Sequence, residues 1–121
     1  MAKVLSDLLY LMAKLRDPET GCPWDLKQSA NDIINYSIEE AYELADSVEA
    51  NDYPAIKDEL GDVLFQVLFL SRIAEEQRQF NFEDVATGCI EKLVRRHPHV
   101  FPDGQLYGES ARESDHNVDT R

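Results

Sequence analysis

The sequence predicts an all-α fold, an antiparallel bundle of about four helices completed by dimerisation. Three observations carry this. Apolar residues recur at helical spacing in four separate segments. Capping or breaking residues bound those segments. No strand-period alternation competes, and the chain has no internal repeat.

The first helix is expected from about Lys3 to Arg16, where Val4, Leu8, Leu11, Met12 and Leu15 share a face. Asp17 to Gln28 reads as a loop, because Pro18, Gly21 and Pro23 interrupt any helix there. The second helix begins near Ser29 or Asn31, either of which can cap it, and runs to about Glu49. Its apolar arc is Ile33, Ile34, Ile38, Ala41, Ala45, Leu44 and Val48, with Glu39, Glu43 and Asp46 on the other side and Glu40 at the apolar edge.

Ala50-Asn51-Asp52-Tyr53-Pro54 reads as a turn. The third helix starts after Asp52, a good N-cap. Pro54 is tolerated in the first turn, where its missing N–H has no partner anyway. The helix continues to about Gln77 and is apolar nearly all round from Val63 to Phe69, broken by Gln66. A small bundle cannot surround such a helix, so a second subunit is expected against it. The fourth helix has Asn81 as its cap, Asp84 three residues on, and Phe80 with Val85 as a staple; it ends at Pro98.

The 121-residue length fits one domain, read as residues 1–101, with a polar acidic tail over 102–121 that reads as extended or disordered. No apolar run approaches the roughly 18–20 residues of a membrane span. The N-terminus lacks the pattern of a secretory signal. Cys22 and Cys89 are isolated and read as free thiols in a reducing cytoplasm. A formal net charge of −12 argues against general nucleic-acid or anionic-membrane binding. A small anionic substrate remains compatible if it arrives with divalent cations or meets a local basic patch.

Two acidic pairs stand out, Glu40/Glu43 and Glu59/Asp62, each at i, i+3 spacing on one helix face. Folding the chain back about Asn51 sets Glu43 opposite Glu59 and Glu40 opposite Asp62. Four facing carboxylates repel unless cations sit between them. Oxygen-only donors suit a hard cation such as Mg²⁺. The competing reading is a solvated acidic face, and spacing alone leaves both open. A di-iron bundle needs Glu-x-x-His pairs, but His97, His99 and His116 all lie at or beyond the end of the fourth helix.

Lys92, Arg95 and Arg96 form a basic cluster. It reads either as helix C-terminal cations or as a phosphate clamp, with Lys92 and Arg96 on one face. Trp24, the sole tryptophan, either packs at the core edge or offers a platform to a nucleobase.

Three segments together resemble the MazG family of all-α nucleoside triphosphate pyrophosphohydrolases. They are Leu15-Arg16-Asp17-Pro18 through Gly21-Cys22-Pro23-Trp24-Asp25, then Glu39-Glu40-Ala41-Tyr42-Glu43 with Glu59-Leu60-Gly61-Asp62, and Lys92 to Phe101. The resemblance implies Mg²⁺-dependent cleavage of a nucleoside triphosphate to the monophosphate and pyrophosphate, with Mn²⁺ as a substitute ion. It implies Glu40, Glu43, Glu59 and Asp62 as metal ligands and Glu39 as the acid that handles water. It also implies Lys92, Arg95 and Arg96 as phosphate contacts. The apolar third helix, not the resemblance, is what predicts a homodimer or higher homo-oligomer. The chain departs from the family pattern at Ser29-Ala30-Asn31-Asp32 and again after Phe101. The alternative is a non-catalytic copy serving as a dimerisation or regulatory nucleotide-binding module.

Overall fold

A computed structural model of the chain describes residues 2–108. The part of the tail from 109 to 121, expected to be extended or disordered, lies outside the described residues. Five helices and no strand occur among the described residues: α1 (Ala2–Leu15), α2 (Pro23–Leu26), α3 (Ala30–Glu49), α4 (Tyr53–Glu76) and α5 (Phe82–Arg96). The chain divides into two compact units, one up to Phe82 and one from Glu83.

In the first unit, α1 closes at a tight turn. The Asp17 carboxylate accepts from the backbone N–H groups of Glu19 and Thr20, both at 2.9 Å. Those bonds hold its carboxyl below the ordinary carboxylate value. Gly21 then passes so close to the end of α1 that a Cβ would lie 2.4 Å from the Leu15 carbonyl oxygen and 2.5 Å from that of Asp17. Only glycine fits there.

The segment expected to be all loop contains the single turn α2. Pro23 prevents a longer helix but sits at the first turn of this one, the position it favours. Ser29 caps α3 through a reciprocal box: its hydroxyl accepts from the Asp32 N–H, and Asp32 accepts from the Ser29 N–H at 2.9 Å. That bond also lowers the carboxyl pKa of Asp32.

The α3–α4 turn has no slack. Asn51 adopts φ 55°, the left-handed conformation asparagine tolerates. The Asn51 N–H donates to Val48 O at 3.0 Å and the Asp52 N–H to Ser47 O at 3.1 Å. Asp52 in the same stroke caps α4 by accepting from the Ala55 N–H. The turn folds α4 back along α3.

Along α3 the less exposed positions are Ile33, Ser37, Glu40, Leu44 and Ser47, a 4-3-4-3 stripe that faces α4. Ser37 and Ser47 keep this seam narrow and donate their hydroxyls to Ile33 O and Glu43 O, one turn back. Met12, Ile33, Leu68 and Phe69 form the buried core, with Leu8, Phe65, Leu70, Ile73 and Phe82 against it. The Phe65 and Phe69 rings meet edge to face at 5.8 Å. The expected apolar arc of α3 is therefore divided. Ile33 is buried and Leu44 half-buried, while Ile34, Ile38, Ala41, Ala45 and Val48 are exposed.

In the second unit, α5 ends where expected, before Pro98. Val94 is its buried residue. The His97 ring donates Nδ1–H to Leu93 O at 2.6 Å, which fits a helix stop rather than a metal ligand at that nitrogen.

Candidate active site

The antiparallel seam gathers acids from both helices. Glu40 and Glu43 on α3 and Glu59 on α4 each place a carboxylate oxygen within 4.8 Å of the others. Asp58, Glu59 and Asp62 form a second group by the same measure, so Glu59 belongs to both. Glu40 and Glu59 are half-buried, Glu43, Asp58 and Asp62 exposed. The Oε2 atoms of Glu40 and Glu59 are buried without a hydrogen-bond partner.

Buried carboxylate oxygens are normally paired, because an unpaired one carries its full desolvation cost. Two of them in one seam, ringed by further carboxylates, make a donor set that fits a hard divalent cation. Oxygen is the only donor type, with neither thiol nor imidazole in either group.

Beside this cluster lies a cavity of about 270 Å³. Its acidic wall is Glu39, Glu40, Glu43 and Asp62; its apolar floor is Ile33, Phe65 and Phe69; Trp24, Asp25, Tyr36 and Gln66 complete it. Trp24 is 57% exposed and its ring stands 6.0 Å from that of Tyr36, inclined at 42°. The pair presents an aromatic surface at the cavity rather than a core contact.

Glu39, Glu40, Glu43, Asp62 and Trp24 thus share one cavity, and Glu59 joins Glu40 and Glu43 behind it. Lys92, Arg95 and Arg96 stand exposed on the last turns of α5, in the second unit. There Arg95 borders a groove with Ile90, Glu91, Val94, Pro98 and Phe101.

Sequence reasoning missed Tyr36, Asp25 and the polar role of Gln66. Tyr36 had a readable signal, since it precedes Glu40 and Glu43 at i+4 and i+7 on the same helix face. Gln66 was visible as the polar break in an apolar run. Its Oε1 is buried without a partner.

Comparison with known proteins gives a consistent picture. Residues 28–101 match the family model described as the MazG nucleotide pyrophosphohydrolase domain. The chain is 46% identical over 103 residues to a nucleoside triphosphate pyrophosphohydrolase of Escherichia coli, covering 85% of this chain and 39% of that protein. It is 47% identical over 104 residues to the nucleoside triphosphate pyrophosphohydrolase/pyrophosphatase MazG of Thermotoga maritima, covering 86% and 40%. A nucleoside triphosphate pyrophosphohydrolase of Mycobacterium tuberculosis is 42% identical over 108 residues, covering 88% and 31%. The chain thus spans about two fifths or less of the length of these relatives.

Proposed function

The chain belongs to the MazG nucleotide pyrophosphohydrolase family, and from that premise we propose that it hydrolyses nucleoside triphosphates in a Mg²⁺-dependent reaction. A ribo- or deoxyribonucleoside triphosphate yields the monophosphate and pyrophosphate. The observation that carries this reading is the pair of buried, unpartnered carboxylate oxygens on Glu40 and Glu59, one on each helix of the seam.

Glu40, Glu43, Glu59 and Asp62 would hold Mg²⁺, with Mn²⁺ able to replace it. An ion held there would neutralise the triphosphate, make water more acidic and offset charge on the leaving pyrophosphate. Glu39, exposed on the cavity wall, orients the attacking water and accepts its proton. The water oxygen bonds to the α-phosphorus as the bond to the α,β-bridging oxygen breaks. Trp24, with Tyr36 beside it, offers its face to the base. Lys92, Arg95 and Arg96 bind phosphate oxygens, for which Arg supplies a planar fork.

The working form is a homodimer or higher homo-oligomer in the cytoplasm. Its support is an unpaired stripe on α3, Ile34, Ile38, Ala41, Ala45 and Val48, repeating at 4-3-4-3 as a helix–helix seam does. On α4, Leu60, Leu64 and Val67 are also exposed. No described helix is long and apolar enough to cross a membrane.

The test is a panel of common and modified triphosphates with saturating Mg²⁺, with products resolved as monophosphate plus pyrophosphate or diphosphate plus phosphate. Pyrophosphate release that Glu39→Gln removes, with nucleotide binding retained, supports the enzyme. A folded chain that binds Mg²⁺ and releases nothing from any substrate is instead a non-catalytic nucleotide-binding module.

A further inference from the structure

Arg16 directly follows α1, yet its side chain is only 9% exposed. A buried guanidinium must have its donors satisfied. Here Nε and Nη2 both donate to the Glu76 carboxylate, at 3.1 and 2.5 Å, across 60 residues of sequence. Nη1 donates to Asp25 O at 2.7 Å and to Gln28 O at 3.3 Å. The guanidinium carbon lies 5.3 Å from the centre of the Phe69 ring.

The two carbonyls are the informative partners. They belong to the last turn of α2 and the residues just after it, where helical bonding runs out; the Asp25 carbonyl shares its lone pairs between Arg16 and the Gln28 N–H at 3.3 Å. A four-residue helix cannot hold itself together, and α2 buries no residue of its own. Its place must come from outside. The Gln28 side chain donates to Trp24 O at 3.0 Å, within the same segment. The Cys22 N–H donates to Leu15 O at 2.9 Å and Trp24 meets the Tyr36 ring, while Arg16 ties the segment to α4, and through Phe69 to the floor of the acid-lined cavity.

We infer that Arg16 is a positioning residue, which fixes α2 so that Trp24 and Asp25 stand at the cavity before any ligand arrives. This rests on the nucleotide reading for its consequence in turnover, but not for its structural content. Lysine in its place keeps the charge and can meet Glu76. Its compact ammonium cannot bridge Glu76 and two carbonyls at once.

The full chain carrying Arg16→Lys is compared with wild type and with Glu76→Gln, which retains the guanidinium and both carbonyl partners. Trp24, the sole tryptophan, reports the segment directly. In Arg16→Lys the near-ultraviolet dichroism of Trp24 should be lost and acrylamide quenching should rise, with helical content unchanged. KM for the nucleotide should rise roughly tenfold, the worth of one hydrogen bond to a charged group, while kcat holds. Glu76→Gln should keep the Trp24 signal and KM. Lower melting temperatures in both variants, with Trp24 and KM unmoved, would reduce Arg16 to a fold-stabilising residue and overturn the inference.

Should Arg16→Lys fail to fold, hydrogen exchange of the wild-type chain decides. The amides of Leu26, Lys27 and Gln28 should be protected about as well as those closing α1, and exchange at unstructured-chain rates refutes the latch. If wild type cleaves no triphosphate, the Trp24 and exchange results still stand, and only the proposed enzyme falls.

Discussion

Glu40 and Glu59 face each other across the α3–α4 seam, each with one buried carboxylate oxygen that no donor satisfies. A bound dication would satisfy both oxygens at once, so the site should link metal binding to folding.

Adding Mg²⁺ should raise the melting temperature, since a ligand of the native state stabilises it by mass action. Glu59→Gln should remove that rise. Without metal, the same change should leave the protein equally stable or more stable by about 1 kcal/mol, as one buried charge is lost. An undiminished Mg²⁺ response in Glu59→Gln, and likewise in Asp62→Asn, would defeat the ligand assignment.

Lys92→Ala and Arg96→Ala should each weaken nucleotide binding by about 1.5–3 kcal/mol, the worth of a charge-assisted hydrogen bond to phosphate. The Mg²⁺-dependent melting shift in the absence of nucleotide should be unaffected. Calorimetric titration of each variant separates these outcomes, and unchanged nucleotide affinity would return α5 to ordinary helix-end cations.

Light scattering at micromolar concentration should report about twice the 13.8 kDa chain mass. Ile38 is 53% exposed in the middle of the α3 stripe. Ile38→Glu should shift the mass toward that of one chain, since a charge at an interface centre is strongly unfavourable. A wild-type monomer would leave the stripe without the partner assigned to it.

Two backbone positions should respond in opposite directions. Gly21→Ala forces a Cβ against two carbonyl oxygens and should cost about 2 kcal/mol by denaturant titration. Arg78 holds φ 59° just beyond α4. Arg78→Gly removes the left-handed penalty and should gain about 1 kcal/mol. A neutral Gly21→Ala would mean that the turn after α1 gives way without cost.

The turn carboxylates carry a pH signature. Asp17 and Asp32 have carboxyl pKa values lowered from 3.8 by backbone N–H donors, from Thr20 and Glu19 and from Ser29 respectively. A depressed folded pKa gives stability that is fully present above the unfolded value and is lost as pH falls through the folded one. NMR titration should place both carboxyls below the ordinary value. Asp17→Asn and Asp32→Asn should flatten the acid limb of stability below about pH 4. Ordinary titration midpoints would contradict the hydrogen-bond account.

The helices were legible in the sequence because their signals are local. Ser29, Asp52 and Pro54 mark ends through bonds spanning three or four residues, and helical spacing marks the faces. The acid seam was legible because a short turn makes partners of positions with a constant index sum, and Glu43 with Glu59 follow that rule. Other features depend on longer reach. A helical wheel shows that α3 has a broad apolar arc but cannot tell which half meets α4, so the exposure of Ile34, Ile38 and Val48 was hidden. Arg16 and Glu76 carry no shared period, and nothing in the chain between them announces their meeting. α2 was missed because proline breaks a helix and also begins one.

The turn at Asn51 and Asp52 has a consequence for how this hairpin can change. Asn51 closes one helix and Asp52 opens the next, so no spacer residue lies between them. One inserted residue would rotate α4 by about 100° against α3 and advance it by about 1.5 Å. Glu59 would then swing off the seam, Asp58 would stand opposite Glu43 in its place, and Asp62 would give way to Gly61. The hairpin can absorb substitutions along its outer faces, but its length is a gauge: a shift of one position misaligns every facing pair at once.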